Sequence, residues 1–319
     1  MLKNAFARLC AGMLIAVAGA SHAFPDKAIT IQVPFSPGTT TDVNAREFAQ
    51  VLSEIVKQPV VVDNKVGAEG QIGASSVLNA PPDGHMVMFT SNSLPVLDPL
   101  MKKGLPYNPI KDFAPICAFA STSNVMNITA SSPYKTVGDF IAAAKAQPGK
   151  FTFGYASAVQ RLAGELFQQA AGIKLTAVPY RSSLVALTEV AGGQVDLIFI
   201  DHVSAMSSYQ NGRIRPIAVA GKQRYKAIPD VPPASEAGVP GYDIHPWFGF
   251  YASAKTPPGV LEKMRDAFKR TLLSPATAAN MEKRDLQLLP LCGDEMARHL
   301  ADDVSLTRRV LNKAGIEPQ

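Results

Sequence analysis

The sequence predicts an α/β fold of two lobes that face each other across a cleft. Short β-branched runs alternate along its 319 residues with longer amphipathic runs, a pattern typical of parallel sheets covered by helices. A strand followed by a polar turn and a helix occurs once in each half, at residues 29–57 and 151–167. Two final amphipathic runs, 258–273 and 293–314, predict that the chain returns to the first lobe.

The first of these units begins with Ile29, Ile31 and Val33, which are β-branched and predict a strand. Prolines follow the strand directly, and Gly38 supplies the permissive backbone of a turn. Residues 39–42 then offer several N-caps for an amphipathic helix that extends to residue 57. Since a helix N-terminus presents free N–H groups and a positive dipole, the segment is a candidate site for a carboxylate.

The rest of the first half predicts two more strands and one more helix. Residues 59–64 are expected to form a short buried strand, and 67–73 a glycine-rich turn that enters a helix ending near Leu78. Residues 86–91 form the next predicted strand, which ends in a polar group of serines and an asparagine.

The second half repeats this alternation and ends on an extended run that contains the only tryptophan, Trp247. Helices are predicted at 137–145 (capped by Thr136), through Leu162 to Phe167, and at 184–191. Strands are predicted at 124–128, 151–157, 176–180, 195–201 (central in its sheet), 214–220 and 244–253.

The predicted domain organisation follows from two crossings between lobes, one near Thr122 and one near Trp247. Lobe 1 is expected to comprise residues 24–122 and 250–319, and lobe 2 residues 123–249. A ligand is expected in the cleft, because α/β sheets bind ligands at the carboxyl ends of their strands.

The N-terminus has the features of a secretory signal peptide over residues 1–23. Lys3 and Arg8 provide a positive region, and the apolar run 9–20 is too short to span a bilayer. Small residues flank His22, which predicts cleavage after Ala23 and export to the periplasm, with a non-cleaved anchor as the alternative.

Composition narrows the classes of partner. The chain has 31 Lys and Arg against 26 Asp and Glu, so loss of Lys3 and Arg8 leaves a net charge of +3. That mild, dispersed charge argues against nucleic-acid binding.

Cys117 and Cys292 remain after cleavage, either as a disulfide or as two separate thiols. No ligand pair has a zinc spacing, and we predict no metal and no cofactor.

An ordered set of short motifs resembles one known family, the substrate-binding proteins of tripartite tricarboxylate transporters, also called the Bug family. The motifs are VPFSPG (33–38) with Thr41-Asp42, QPVVVDN (58–64), GA (67–68) with IG (72–73), PDG (82–84), LPY (105–107), KDFAP (111–115), LAGELF (162–167), VPY (178–180), GGQVD (192–196), PDVP (229–232), EAG (236–238), PGY (240–242) and WFG (247–249). Each motif is weak alone, but together they cover essentially the whole mature chain in order.

The resemblance implies a type II periplasmic-binding-protein fold (a Venus flytrap) that closes on a small organic anion such as a carboxylate. It also implies membrane permease subunits as partners of a receptor that we expect to be monomeric. In the first lobe the implied ligand-binding residues are Phe35, Pro37, Gly38, Thr39, Thr40, Thr41, Gly70, Gln71, Ile72, Ser91, Asn92 and Ser93. In the second lobe they are Tyr155, Ala156, Ser157, Ala158, Arg161, Tyr180, Arg181, Ser182 and Asp201.

Two segments depart from the family pattern. Threonines at 39–41 stand where relatives often have a second glycine, and their hydroxyls either bind the ligand or cap the helix. The loop from Ser157 to Arg161 is several residues shorter than in relatives. Arg161 either clamps a carboxylate or lies on a solvated helix face.

Three further residues allow two interpretations each. Asp201 either meets a ligand amine or hydroxyl or caps the following helix, and Arg181 either adds positive potential to the cleft or lies on the surface. Trp247 either packs at the hinge or stacks on the ligand.

No catalytic residue is predicted, because the histidines are scattered and no nucleophile is paired with a base. A receptor is therefore the main prediction. The alternatives are an exported enzyme that acts on a small organic acid and a ligand sensor for a membrane histidine kinase.

Overall fold

The computed structural model describes residues 24–222 and 224–318. The predicted signal peptide and its cleavage site at Ala23 lie outside these residues. Within them, no helix combines the length and the apolar character that crossing a membrane requires.

The first lobe is built on a six-stranded sheet with the strand order β11-β4-β10-β3-β1-β2. Its strands are β1 (Ile29–Val33), β2 (Val60–Asn64), β3 (Met86–Ser91), β4 (Phe113–Ser121), β10 (Trp247–Ser253) and β11 (Gln287–Leu288). Its α-helices are α1 (Thr40–Val56), α2 (Gln71–Leu78), α3 (Asp98–Met101), α4 (Pro109–Asp112), α9 (Pro258–Leu272), α10 (Pro275–Lys283) and α11 (Asp294–Ala314). A 3-10 turn, Ala68–Gly70, precedes α2, and a π-helical segment, Ser93–Leu97, precedes α3.

The second lobe is built on a five-stranded sheet with the strand order β7-β6-β8-β5-β9. Its strands are β5 (Asn124–Thr129), β6 (Thr152–Tyr155), β7 (Thr176–Pro179), β8 (Leu197–Asp201) and β9 (Ile214–Val219). Its helices are α5 (Val137–Ala146), α6 (Ala158–Ala171), α7 (Ser183–Ala191) and α8 (His202–Gln210). The expected central position of the 195–201 strand is confirmed, because β8 lies third in the order.

Both sheets are mixed, whereas the sequence pattern predicts parallel ones. β1 pairs in parallel with β2 and β3, and β6 pairs in parallel with β7 and β8. The strands next to the crossings between lobes run the other way: β10 is antiparallel to β3 and β4, and β5 is antiparallel to β8 and β9. A strand that enters a lobe from its partner arrives at the cleft edge, which reverses its direction.

Two local expectations are wrong. β2 is an edge strand rather than a buried one, and Val61 is 49% exposed because no strand covers its outer side. A third C-terminal helix, α10, lies between the two that were expected. The predicted boundary between the lobes at residues 249 and 250 lies within β10, which belongs to the first sheet from Trp247 onward.

Each lobe has an aromatic core behind its sheet. In the first lobe Phe250 packs on Phe48 and Phe89 with ring centroids 4.3 Å apart in both pairs. In the second lobe the rings of Phe167 and Phe199 lie 5.4 Å apart. These cores hold the sheets rigid, so the polar ends of the strands keep fixed positions at the cleft.

A disulfide joins Cys117 on β4 to Cys292. Of the two alternatives that the sequence left open, the two separate thiols are therefore excluded. The bond closes a segment with a sequence separation of 175 residues, which includes the whole second lobe. It therefore fastens the returning C-terminal chain to the first sheet.

Candidate functional site

A central cavity of about 50 Å³ lies between the two sheets. The first lobe lines it with Phe35, Thr39, Thr40, Thr41, Ser91 and Phe248. The second lobe lines it with Asn124, Ser157, Val159, Gln160, Ser183, Ile200, Asp201 and Ser204, and the crossings add Thr122 and Pro246. Seven of the predicted site residues are thus brought together here: Phe35, Thr39, Thr40, Thr41, Ser91, Ser157 and Asp201.

Four helices begin at residues that line this cavity. Thr40 starts α1, Ser157 precedes α6, Ser183 starts α7, and Asp201 precedes α8. The N-terminal ends of all four therefore lie at the cavity, where their dipoles favour negative charge. The arrangement favours an anion although no basic side chain is among the residues that line the cavity.

The start of α1 is held by hydrogen bonds within the first lobe. Thr39 caps the helix by accepting a hydrogen bond from the Asp42 amide, as one of the two interpretations of the threonines predicts. Gly38, at φ +85, turns the chain so that its own amide donates to Asp42 Oδ2 over 2.9 Å. That turn needs glycine because other residues are strained at such a φ.

Asp42 connects this turn to its surroundings. Arg46 Nη2 lies 2.9 Å from Asp42 Oδ1, and Asn64 Nδ2 donates to the same oxygen over 2.9 Å. Burial alone would raise the pKa of Asp42, but the hydrogen bonds from Arg46, the Gly38 amide and Asn64 outweigh it and hold that pKa below its usual range. The carboxylate thus stays ionised and fixes the turn.

Hydrogen bonds cross the cleft and hold the lobes in a closed arrangement. The Thr40 hydroxyl donates to Asp201, and the Thr40 amide donates to Ser204 Oγ over 3.0 Å. Ser36 Oγ donates to Ser182 Oγ over 2.7 Å. The Val159 amide donates to Ser93 Oγ over 3.2 Å. The closed form therefore uses donors at the start of α1 to bind the second lobe.

The short loop of the second lobe places Ser157 directly before α6. Its hydroxyl makes no capping bond, so the helix start is organised by Gln160 instead. Gln160 Oε1 accepts from the Ala156 amide over 2.8 Å and from Ser183 Oγ over 3.2 Å. Gln160 therefore ties the starts of α6 and α7 together beside the cavity.

A smaller outer cavity of about 10 Å³ lies next to the central one. Phe35 and Thr39 line this cavity as well as the central one. Four other predicted site residues line it too: Gly70, Ala156, Arg181 and Ser182. Arg181 is exposed and also lines this cavity. It therefore lies on the surface, as one interpretation predicts, and close enough to the cleft to add positive potential, as the other predicts.

Ten predicted site residues line neither cavity: Pro37, Gly38, Gln71, Ile72, Asn92, Ser93, Tyr155, Ala158, Arg161 and Tyr180. Ile72 is 53% exposed on the outer surface, and Ala158 belongs to the core. Asn92 Nδ2 donates to Asp303 over 3.2 Å, away from the cleft. The Arg161 guanidinium lies 5.9 Å from the centre of the Tyr155 ring, and Arg161 is not among the residues that line the central cavity.

The structure distinguishes between the two interpretations of Asp201 and between those of Trp247. Asp201 caps α8 by accepting from the Ser204 amide over 2.9 Å, and it lines the cavity as well. Trp247 is buried outside the central cavity, and its Nε1 donates to Asp303 Oδ2 over 2.6 Å. Trp247 thus packs at the crossing between the lobes, as the hinge interpretation predicts.

Sequence reasoning missed several residues of the central cavity, including Asn124 and Gln160. Gln160 had a readable signal, because Ser157 followed three residues later by glutamine is a capping-box pattern. No sequence signal pointed to Asn124, because only the pairing of β5 with β8 places it opposite Asp201.

The residues that line the cavity include few groups that can exchange a proton. Among the described residues that line it, Asp201 is the only ionisable one. No group of three or more His, Cys, Asp or Glu in the described part of the chain is placed to hold a metal ion.

Comparisons with known proteins identify the family of this chain. The family model described as the tripartite tricarboxylate transporter family receptor matches residues 44–316. A Pseudomonas sp. (strain P51) relative, the UPF0065 protein in the tcbD-tcbE intergenic region, is 33% identical over 278 residues, or 84% of this chain and 82% of the relative.

Two solved structures show the same fold. A periplasmic transporter is 36% identical with a TM-score of 0.86, over 92% of this chain and 99% of its own. Rpa4515 of R. palustris, solved with adipate, is 30% identical with a TM-score of 0.87, over 93% of this chain and 100% of its own. The two-lobed binding-protein fold is confirmed, and this chain belongs to the tripartite tricarboxylate transporter receptor family.

Proposed function

We propose that this protein is an extracytoplasmic receptor that binds a small organic carboxylate between its lobes and delivers it to the permease subunits of a tripartite transporter. The observation that carries the proposal is the meeting of four helix N-termini at one cavity between the lobes. Each such N-terminus stabilises a nearby anion by roughly 0.3–2 kcal/mol. A related structure was solved with the dicarboxylate adipate.

The cross-lobe hydrogen bonds support a binding mechanism that depends on closure. The crossings at Thr122 and Pro246 are the two places where the chain passes between the sheets. Rotation about them would separate Thr40 from Asp201 and open the cavity to a ligand. Closure then buries the ligand and forms the surface that a permease recognises.

A panel of mono-, di- and tricarboxylates, aromatic acids and acidic amino acids tests the proposal by thermal shift and titration calorimetry. We expect at least one carboxylate to raise Tm in a concentration-dependent way, because binding to the native state stabilises it. A folded protein that no carboxylate stabilises would contradict a carboxylate site.

The competing hypothesis of an exported enzyme predicts chemical change of the bound acid. Asp201 alone among the described lining residues is ionisable, which leaves no acid–base pair at the cavity. Mass spectrometry of a recovered ligand after prolonged incubation separates the two hypotheses, and we expect an unchanged compound. A pull-down from membranes distinguishes permease subunits from a sensor kinase as the partner.

We further propose that the mature protein is a periplasmic monomer that begins at Phe24. The Phe24 ring packs against His85 with ring centroids 5.0 Å apart, which gives the first mature residue a place on the folded domain. Intact mass of the exported protein tests the cleavage site, and light scattering after size exclusion tests the oligomeric state.

A further inference from the structure

The central cavity contains one acceptor with spare capacity, the Asp201 carboxylate. Asp201 Oδ1 accepts from the Ser204 amide over 2.9 Å and from the Thr40 hydroxyl, and Oδ2 accepts from Ser204 Oγ over 3.0 Å. An ionised carboxylate has about four acceptor positions, so one remains on Oδ2 beside the cavity. A ligand meets this position most favourably with a hydrogen-bond donor.

A buried donor lies directly opposite. Asn124 pairs with Asp201 in the antiparallel register of β5 and β8, so the two side chains stand on the same face of the sheet. Asn124 lines the cavity and is only 3% exposed, and its Nδ2 has no hydrogen-bond partner among the described residues. Because an unpaired buried donor is costly, this position favours a ligand acceptor.

The pair also sets the charge that the cavity prefers. Asp201 is the only ionisable side chain among the described lining residues, and it lies against the first turn of α1. A ligand carboxylate is attracted by the dipoles of the helix starts, whereas an anionic group that brings no adjacent donor to Asp201 is repelled by it.

From this juxtaposition we propose that Asn124 and Asp201 act together as a specificity determinant of the site. Asn124 donates to a ligand carboxylate, and Asp201 accepts from an ammonium or hydroxyl group adjacent to that carboxylate. The preferred ligands are then amino- or hydroxy-carboxylates rather than plain carboxylic acids of equal length. The inference rests on the proposed function and names the substrate class within it.

Two matched ligand series test the preference by titration calorimetry: propionate, lactate and alanine, and succinate, malate and aspartate. Within each series only one substituent changes, from hydrogen to hydroxyl to ammonium. We expect the donor-bearing members of at least one series to bind roughly tenfold or more tightly than its plain acid, as a hydrogen bond to a charged group allows.

Two variants assign the preference to its residues. Asp201→Asn keeps a good helix cap and one acceptor oxygen but loses the charge. It should reduce the preference for the ammonium ligand to roughly threefold or less and retain part of the hydroxyl preference. Asn124→Ala should weaken all members of a series by a similar factor. Asp230→Asn, an equal charge change at an exposed position of the second lobe, should change neither quantity.

The outcomes separate this inference from the proposed function. Equal binding of plain and donor-bearing acids, or a preference that survives in a folded Asp201→Asn variant, overturns the inference and leaves the receptor function standing. Failure of every carboxylate to bind the folded wild-type protein overturns the proposed function and the inference with it.

Discussion

Each lobe borders the cavity with the same unit, a strand, a turn and a helix N-terminus. The turn is held in place differently in the two lobes. At the start of α1 the turn is fixed from within, because Thr39 caps the helix and Asp42 binds the Gly38 amide. At the start of α6 the Ser157 hydroxyl makes no cap, and Gln160 organises the turn from the helix side.

This difference indicates that the second lobe carries the ligand preference. The polar groups of the first lobe serve folding and closure, since Thr40 binds Asp201 and Ser204 across the cleft. The second lobe brings Ser157, which does not cap its helix, and Asp201 with an acceptor position to spare. We expect changes in the first lobe to alter stability and changes in the second to alter binding.

The largest expected effect on stability comes from the disulfide, which lies in the first lobe. The Cys117→Ala, Cys292→Ala double variant should lose about 3 kcal/mol of unfolding free energy, because the unfolded chain is no longer constrained over a sequence separation of 175 residues. Urea unfolding measures the loss. Reduction should lower the Tm of the wild type and leave the variant unchanged; a wild-type Tm insensitive to reduction would contradict the bridge.

The next largest effect concerns pH and Asp98, which lies fully buried behind the glycine-rich turn of the first lobe. Burial raises the pKa of Asp98 to about 7 although Lys102 Nζ lies 2.9 Å from its Oδ1. Since the folded state then binds more protons than the unfolded state between pH 3.8 and about 7, the free energy of unfolding should fall as pH rises through that interval.

Asp98→Asn tests this pH dependence. We expect the wild type to lose roughly 2 kcal/mol of unfolding free energy between pH 5 and pH 8, and the variant to lose much less. Urea unfolding at both pH values measures the difference. The exposed Asp302→Asn is the matched control and should keep the wild-type slope. An Asp98→Asn slope equal to that of the wild type would refute the assignment.

A smaller effect compares the two helix starts directly. Thr39→Ala removes a cap and should cost about 1 kcal/mol of unfolding free energy. Ser157→Ala removes no cap and should cost under about 0.5 kcal/mol, but it should weaken carboxylate binding roughly tenfold. Calorimetric titration and urea unfolding of both variants give the two quantities. Equal stability losses would show that the two turns are held alike.

The smallest effect concerns closure. Thr40→Val keeps the side-chain shape but removes the hydroxyl that binds Asp201 and Ser204, a contribution of about 1 kcal/mol to the closed form. Small-angle scattering of the ligand-free variant should show a larger radius of gyration than the wild type. Thr188→Val, the same change on the exposed face of α7, is the control and should leave the radius unchanged.

Much of the fold could be predicted from the sequence because its signals are local. The patterns of apolar residues predict β1, β3 and β8, and Thr136 as a helix cap predicts the start of α5. The mixed direction of the sheets was not predictable in this way. β5 and β10 become antiparallel because they enter from the other lobe, a long-range property that a strand pattern does not contain.

The candidate site likewise combines local features, which the sequence predicts, with long-range contacts, which it does not. The two turns, the helix starts and the family can be read from the sequence, because turn residues and caps act within a few positions. The contacts between distant side chains appear only in the folded protein: Thr40 meets Asp201 across the cleft, and Asn124 lies opposite Asp201 in the sheet. Such meetings depend on strand pairing and on closure of the lobes, which join residues far apart in the chain.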